Sequence, residues 1–153
     1  MSDRVSELLD ARCISLELTE KKKPAIIHEL VSLLKEGGRI EAVDPIEQAV
    51  LEREALTSTG IGGGIAIPHC LTPDVPETMM AFARHSKGAK FDAADRKPVR
   101  LFFLIVGPAN GHNAHLRLPS KLSRHLHDAT LYKGLLSAAT PEEVVALFDE
   151  RES

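Results

Sequence analysis

The sequence predicts an α/β fold in which one β-sheet is covered by helices. Three observations predict it. Strand-like and helix-like patterns are interspersed along the whole chain, with no repeat and no low-complexity linker. Val99–Val106 is nearly continuous in apolar residues, as a central strand buried on both faces requires. At 153 residues with 43% hydrophobic content, the chain has the size and the material for one compact domain. Only 4% of residues are aromatic and none is Trp, so an aliphatic core is expected.

Ile14-Ser15-Leu16-Glu17-Leu18 alternates apolar and polar and reads as a half-buried strand. The run Lys21-Lys22-Lys23 reads as a solvated turn. Pro24 suits a first helical position, Ile26, Ile27, Leu30, Leu33 and Leu34 follow at helical spacing, and Gly37-Gly38 ends that helix. Asp44-Pro45 reads as an N-cap and first turn of a second helix, with Ile46, Val50 and Leu51 on its apolar side. Thr72–Pro76 is a loop by composition, and 78–85 reads as a strand of imperfect alternation. Phe91–Asp95 is a turn or short excursion. The central strand is expected to stop at Gly107-Pro108. Leu116, Leu118, Leu122 and Leu126 then recur at helical spacing, and Pro119 fits only if it lies in that helix's first turn. Leu131, Leu135 and Leu136 mark a short helix. Thr140-Pro141-Glu142-Glu143 opens the last one, with cap, proline and carboxylates in order and Val144, Val145, Leu147 and Phe148 turned inward.

The densest chemical signal lies between the second helix and the loop. Ser58-Thr59-Gly60-Ile61-Gly62-Gly63-Gly64 leads into Ile65-Ala66-Ile67, a short apolar strand expected to stop at Pro68-His69. That stop places His69 at the mouth of the sheet on stiff backbone, the mounting a reactive group needs.

Composition excludes several classes of function. Net charge is −3, against the basic face that nucleic acid usually requires. No segment approaches the roughly 20 apolar residues of a membrane span, and the N-terminus lacks the apolar stretch of a signal peptide. Two cysteines, Cys13 and Cys70, make no disulfide framework and point to a reducing compartment. A cytoplasmic protein with no nucleic-acid partner and no membrane insertion is expected.

The glycine run does not fit a nucleotide site. A dinucleotide fingerprint starting at Gly60 needs glycine or alanine where Ile65 stands, and a phosphate loop needs Gly-Lys followed by Ser or Thr. The glycines also run into a strand instead of a helix N-terminus. Cys70 follows the key histidine, but no base-orienting triad is readable around it. His28-Glu29 begins like a metalloprotease motif, yet Ser32 stands where the second histidine must be. His28, His85, His125 and His127 read as surface or helix-face residues. His69, His112 and His115 form the one grouping to which a zinc reading applies.

Phosphoryl chemistry on an imidazole suits what remains. Neutral imidazole is nucleophilic near neutral pH, and the site needs a presented histidine, a cation or dipoles for the phosphoryl oxygens, and a group that orients the ring. His69 supplies the first. Arg53, in Leu51-Glu52-Arg53-Glu54, has the planar donors that suit phosphate, although alone it reads as a solvated helix charge. His115 opens the helix after the central strand, where it can share a sheet edge with His69.

Glu52-Arg53-Glu54, the run Thr57–His69 with its Ala66-Ile67-Pro68-His69 motif, Asn113-Ala114-His115-Leu116 and Thr140-Pro141-Glu142-Glu143 resemble the enzyme IIA domains of the bacterial phosphotransferase system, in the mannitol/fructose/nitrogen-regulatory branch. The resemblance covers essentially the whole chain and implies one such domain over residues 1–153. It implies a mixed parallel/antiparallel β-sheet with helices on both faces. It implies that His69 takes a phosphoryl group on Nε2 from a phosphorylated HPr or a nitrogen-branch HPr-like carrier. Arg53 and His115 match the positions that hold the phosphoryl group and tune the imidazole, and neither ATP nor metal is used directly. Two departures are Gly63, where the family usually has Asn, and Pro119, where it tends to have an aliphatic residue. The absence of a linker or appended segment favours a stand-alone nitrogen-regulatory IIA protein whose phosphorylation state controls binding to target proteins. A fructose- or mannitol-type subunit passing the group to a IIB protein, and an unphosphorylated interaction module, are the alternatives.

Overall fold

The computed structural model describes residues 4–109 and 112–153, and the side chains of that span except those of 112–116. The elements run α1 (Val5–Leu8), β1 (Leu9–Leu18), α2 (Lys23–Glu36), α3 (Val43–Leu56), β2 (Gly60–Gly62), β3 (Ile65–Ala66), β4 (His69–Thr72), β5 (Met79–Ala89), β6 (Val99–Pro108), α4 (His112–Leu126), α5 (Ala129–Ser137) and α6 (Pro141–Glu152). The sheet order is β1-β5-β6-β3-β2, with β4 also on β6. β5 and β6 pair antiparallel, whereas β1 on β5 and both β3 and β4 on β6 are parallel, so the sheet is mixed.

β6 is the centre of the molecule, as its apolar run predicts. Its side chains alternate between two cores because strand side chains have a period of two. Phe102, Leu104 and Val106 join the α2–α3 core, with Ile26, Ile27, Leu30 and Leu34. Leu101, Phe103 and Ile105 join the α4–α6 core, with Leu122, Leu135, Val144 and Phe148. Helices thus cover both faces. The expected aliphatic core is corrected in one respect. All five phenylalanines are among the largest fully buried side chains. Phe103 stacks on Phe82 at 4.7 Å and meets Phe148 edge-on at 5.9 Å, while Phe91 meets Phe102 at 5.2 Å on the other face. A scarce residue type is concentrated where its large area is wholly removed from water.

Most element ends follow their residues. α2 stops where Gly38, at φ 74°, lets Arg39 N–H reach the Leu34 carbonyl at 2.8 Å. Thr140 caps α6 by accepting from Glu143 N–H at 3.2 Å, and the Glu143 carboxylate reaches back to Ala139 N–H at 2.9 Å. Asp44, however, is not a cap. α3 begins at Val43, its cap position is Ala42 without a side-chain bond, and Asp44 lies in the first turn, where a carboxylate suits the helix dipole. Pro119 is not in the first turn of α4 either, because that helix starts at His112 and carries Pro119 in its interior. β1 begins at Leu9, ahead of the alternating stretch, with its pairing to β5 irregular between Leu9 and Ile14.

Candidate functional site

β3 and β4 are one strand interrupted at Pro68. Ile65 lies opposite Leu101 and His69 opposite Ile105, in the same parallel register on either side of the proline. Pro68 has no N–H to give, but its carbonyl still accepts from Ile105 N–H at 3.0 Å. The expected stop at Pro68-His69 is therefore corrected: the proline removes one donor and the strand resumes. His69 sits inside the ladder as the first residue of β4 instead of at the sheet's mouth.

Period two then sorts the neighbours. Ile65 and Ile67 face the α4 side, and Ala66 and Cys70 face the α2–α3 side. His69 follows Ile67 on the α4 side and lines a groove of about 420 Å³. Arg53 from the last turn of α3, Ser58 and Thr59 form one part of its wall. Ser120, Ser123 and Arg124 of α4 form another. A larger cavity of about 570 Å³ adjoins it through Ile61 and Ser123 and is lined by Gly62, Gly63, Asp95 and Tyr132.

The imidazole of His69 is half-buried and oriented from within its own segment. Nδ1–H donates to the Ile67 carbonyl at 2.8 Å. In the neutral ring this bond fixes the tautomer and puts the lone pair on Nε2. Burial holds the His69 pKa below its ordinary value, the Ile67 bond opposes that, the Arg53 guanidinium adds to it, and the Glu54 carboxylate opposes it weakly. The arrangement thus favours a neutral ring with its lone pair on Nε2, the form in which an imidazole can act as a nucleophile. Arg53 has a buried Nη1 with no hydrogen-bond partner among the described residues. A buried guanidinium N–H without an acceptor costs free energy that an anion in the groove restores.

The approach to the groove is built from close backbone contacts. A Cβ on Gly60 would lie 2.7 Å from the Ala93 Cα, so only glycine fits there, and Ala94 N–H closes onto the Gly60 carbonyl at 3.0 Å. Gly63, at φ 67°, donates its N–H to Asp95 at 3.0 Å and has open space where a side chain would project. A Cβ at Gly63 would meet nothing within 4 Å, and the positive φ suits glycine there.

The structure brings His69 and Arg53 together. The side chain of His115, in the first turn of α4, lies outside the described residues, as does that of His112, so the zinc grouping falls in part outside them too. Among the described residues no three His, Cys, Asp or Glu side chains cluster as metal ligands do. Cys70 is buried on the opposite face, and burial pushes its thiol up to about 12, which keeps it protonated. Among the described residues no helix is long and apolar enough to cross a membrane.

His28 lies on an exposed helix face, His127 is exposed in the turn after α4, and His125 is half-buried with Nε2 at 3.6 Å from Glu152. His85 corrects the surface reading. It is 3% exposed in β5, and its Nδ1 accepts from Lys87 and Gly88 N–H at 3.2 and 3.0 Å. Lys23 departs from the solvated-turn reading as well, opening α2 with Nζ at 3.0 Å from Glu54. Ser120, Ser123 and Arg124 are the wall residues that sequence reasoning missed. Their spacing of three and four on one helix was the available signal, but which face of α4 meets His69 is set by packing.

Comparison with known proteins places this geometry. Residues 7–151 match the family model described as "Phosphoenolpyruvate-dependent sugar phosphotransferase system, EIIA 2". The chain is 39% identical over 140 residues to the fructose-specific EIIA component of Haloferax volcanii, covering 92% of this chain and 91% of that one. It is 33% identical over 149 residues to the fructose-specific EIIABC component of Bacillus subtilis, of which it spans only 24%. The crystal structure of the nitrogen regulatory protein IIA-Ntr from Neisseria meningitidis superimposes with a TM-score of 0.87 at 31% identity, over 94% of this chain and 98% of that one. Enzyme IIA of the Escherichia coli mannitol system, solved in complex with phosphorylated enzyme IIB, superimposes with a TM-score of 0.77 at 27% identity, over 94% and 99% of the two chains.

Proposed function

The chain belongs to the EIIA type 2 family of the phosphoenolpyruvate-dependent sugar phosphotransferase system, and from that membership we propose that His69 is its phosphoryl acceptor. The observation that carries the proposal is the pairing of an oriented imidazole with an unpartnered guanidinium N–H in one open groove. The lone pair on His69 Nε2 attacks the phosphorus of a phosphohistidine on an HPr-like carrier. The new N–P bond forms as the carrier's N–P bond breaks, and the carrier's imidazole leaves with that electron pair. His69 then carries both the phosphoryl group and Nδ1–H, so its ring is cationic, and the Ile67 carbonyl stabilises that charge by accepting from Nδ1. Arg53 meets the phosphoryl oxygens with its open donor. His115 takes the second imidazole's role, tuning transfer and the lifetime of phosphohistidine.

Downstream, this reading makes residues 1–153 one cytoplasmic IIA domain of the nitrogen-regulatory kind, whose phosphorylation state controls binding to target proteins. Its close match in shape to IIA-Ntr supports this. The second reading, transfer to a IIB protein for sugar uptake, is favoured by the identity to the Haloferax fructose component.

Incubation with labelled phosphoenolpyruvate, the head enzyme of the relay and each carrier type tests both. The wild-type chain takes label, and His69→Ala takes none while remaining folded. Label persisting on His69→Ala would remove His69 from the role. Onward passage of label to a IIB protein selects the transport reading.

A further inference from the structure

Glu54 is a carboxylate where the fold has no evident need of one. Its side chain is 3% exposed, and it sits one residue from the guanidinium assigned to an anion. Burying a carboxylate costs several kcal/mol unless it is paired and hydrogen-bonded, and a negative charge beside an anion site works against that site. Both problems are met here. Glu54 Oε1 accepts from Thr59 Oγ1 at 2.7 Å, and Oε2 accepts from Thr59 N–H at 2.9 Å and from Lys23 Nζ at 3.0 Å. Lys23 neutralises it and is itself fixed over the Phe91 ring at 4.6 Å and beside Asp92 at 3.2 Å.

The bonds continue to the imidazole. Thr59 accepts from Ile67 N–H through its carbonyl at 3.0 Å, and the Ile67 carbonyl accepts from His69 Nδ1–H at 2.8 Å. One unbroken run of hydrogen bonds therefore joins Glu54 to the ring, while Arg53 rides on the same helical turn as Glu54. We propose that Glu54 is a positioning residue for phosphoryl transfer, holding the Arg53 guanidinium and the His69 imidazole in one groove through Thr59 and Ile67, with Lys23 cancelling its charge. The inference rests on His69 being the acceptor.

Glu54→Asp keeps the charge and shortens the reach by one methylene. Two measurements on the full chain test the clamp. Imidazole ¹⁵N shifts in the neutral ring report the His69 tautomer without any phosphoryl transfer. The wild-type protein shows the Nδ1–H form, and Glu54→Asp shows a mixture as the Ile67 carbonyl shifts. The rate of phosphoryl uptake from the carrier falls about tenfold or more, the scale of a small misplacement of reacting groups, and by a smaller factor in an Arg53→Ala background. A wild-type tautomer in Glu54→Asp, or the same loss of rate in both backgrounds, overturns the proposal. If Glu54→Asp does not fold, Thr59→Val, which deletes the Oγ1 donor and leaves every charge in place, carries the same two readouts. A wild-type chain that takes no label sinks the acceptor reading, while the tautomer still tests the clamp.

Discussion

At the scale of single residues, the proposed chemistry turns on how two side chains are held. The Nδ1 bond to Ile67 gives the His69 ring a defined tautomer, as the proposed nucleophile requires, and burial with Arg53 nearby favours its neutral form. A histidine whose pKa is lowered stays uncharged until the pH falls past its ordinary value of about 6.5. The acid limb of the rate of phosphoryl uptake is therefore expected below pH 6.5, and Arg53→Ala is expected to move that limb upward because a repelling cation is gone. A pH–rate profile of both proteins checks the order. Arg53→Ala should also slow uptake about 100-fold, the usual effect of deleting one donor to developing negative charge. Arg53→Lys should restore only part of it, since a point charge replaces a planar fork. Stopped-flow transfer from a labelled carrier measures both.

At the scale of elements, the decisive feature is the interrupted strand. Pro68 removes one donor from the ladder without changing its register, so β4 continues along β6 and His69 inherits the facing of Ile67. The neighbouring Cys70 is turned into the other core and shielded from the groove. The helices show how far local signals reach. The start of α6 is marked locally by Thr140 and Glu143, and Thr140→Ala should cost about 1 kcal/mol, read as a lowered urea midpoint with an unchanged slope. α4 tolerates Pro119 in its interior. Such a helix is held by the apolar side it packs, and Leu118, Leu122 and Leu126 of α4 lie in the same core as Phe103.

At the scale of the whole molecule, the sheet divides the interior into two cores, and the groove lies where elements from both faces converge. Arg53 comes from α3, which packs in one core. Ser120, Ser123 and Arg124 come from α4, which packs in the other, and His69 comes from the sheet between them. Stability and site geometry are therefore linked. Phe103 is fully buried and touches both Phe82 and Phe148. Phe103→Ala should cost about 3–5 kcal/mol in chemical denaturation and loosen the α4 wall of the groove.

The central strand, the proline-started α2, the capped α6 and the glycine turn into His69 were legible in the residues, because each is announced by a pattern of a few consecutive residues. The same locality explains the misreadings. Asp44 looked like a cap, Pro68 like an end and His85 like a surface residue, since nothing nearby in sequence reveals the long-range packing and pairing around them. Only the tertiary structure could bring Arg53, His69 and the stripe of α4 into one groove, bury Glu54 between Thr59 and Lys23, and turn Cys70 away. These outcomes depend on which faces of distant elements meet, and that is settled by packing two cores against one sheet.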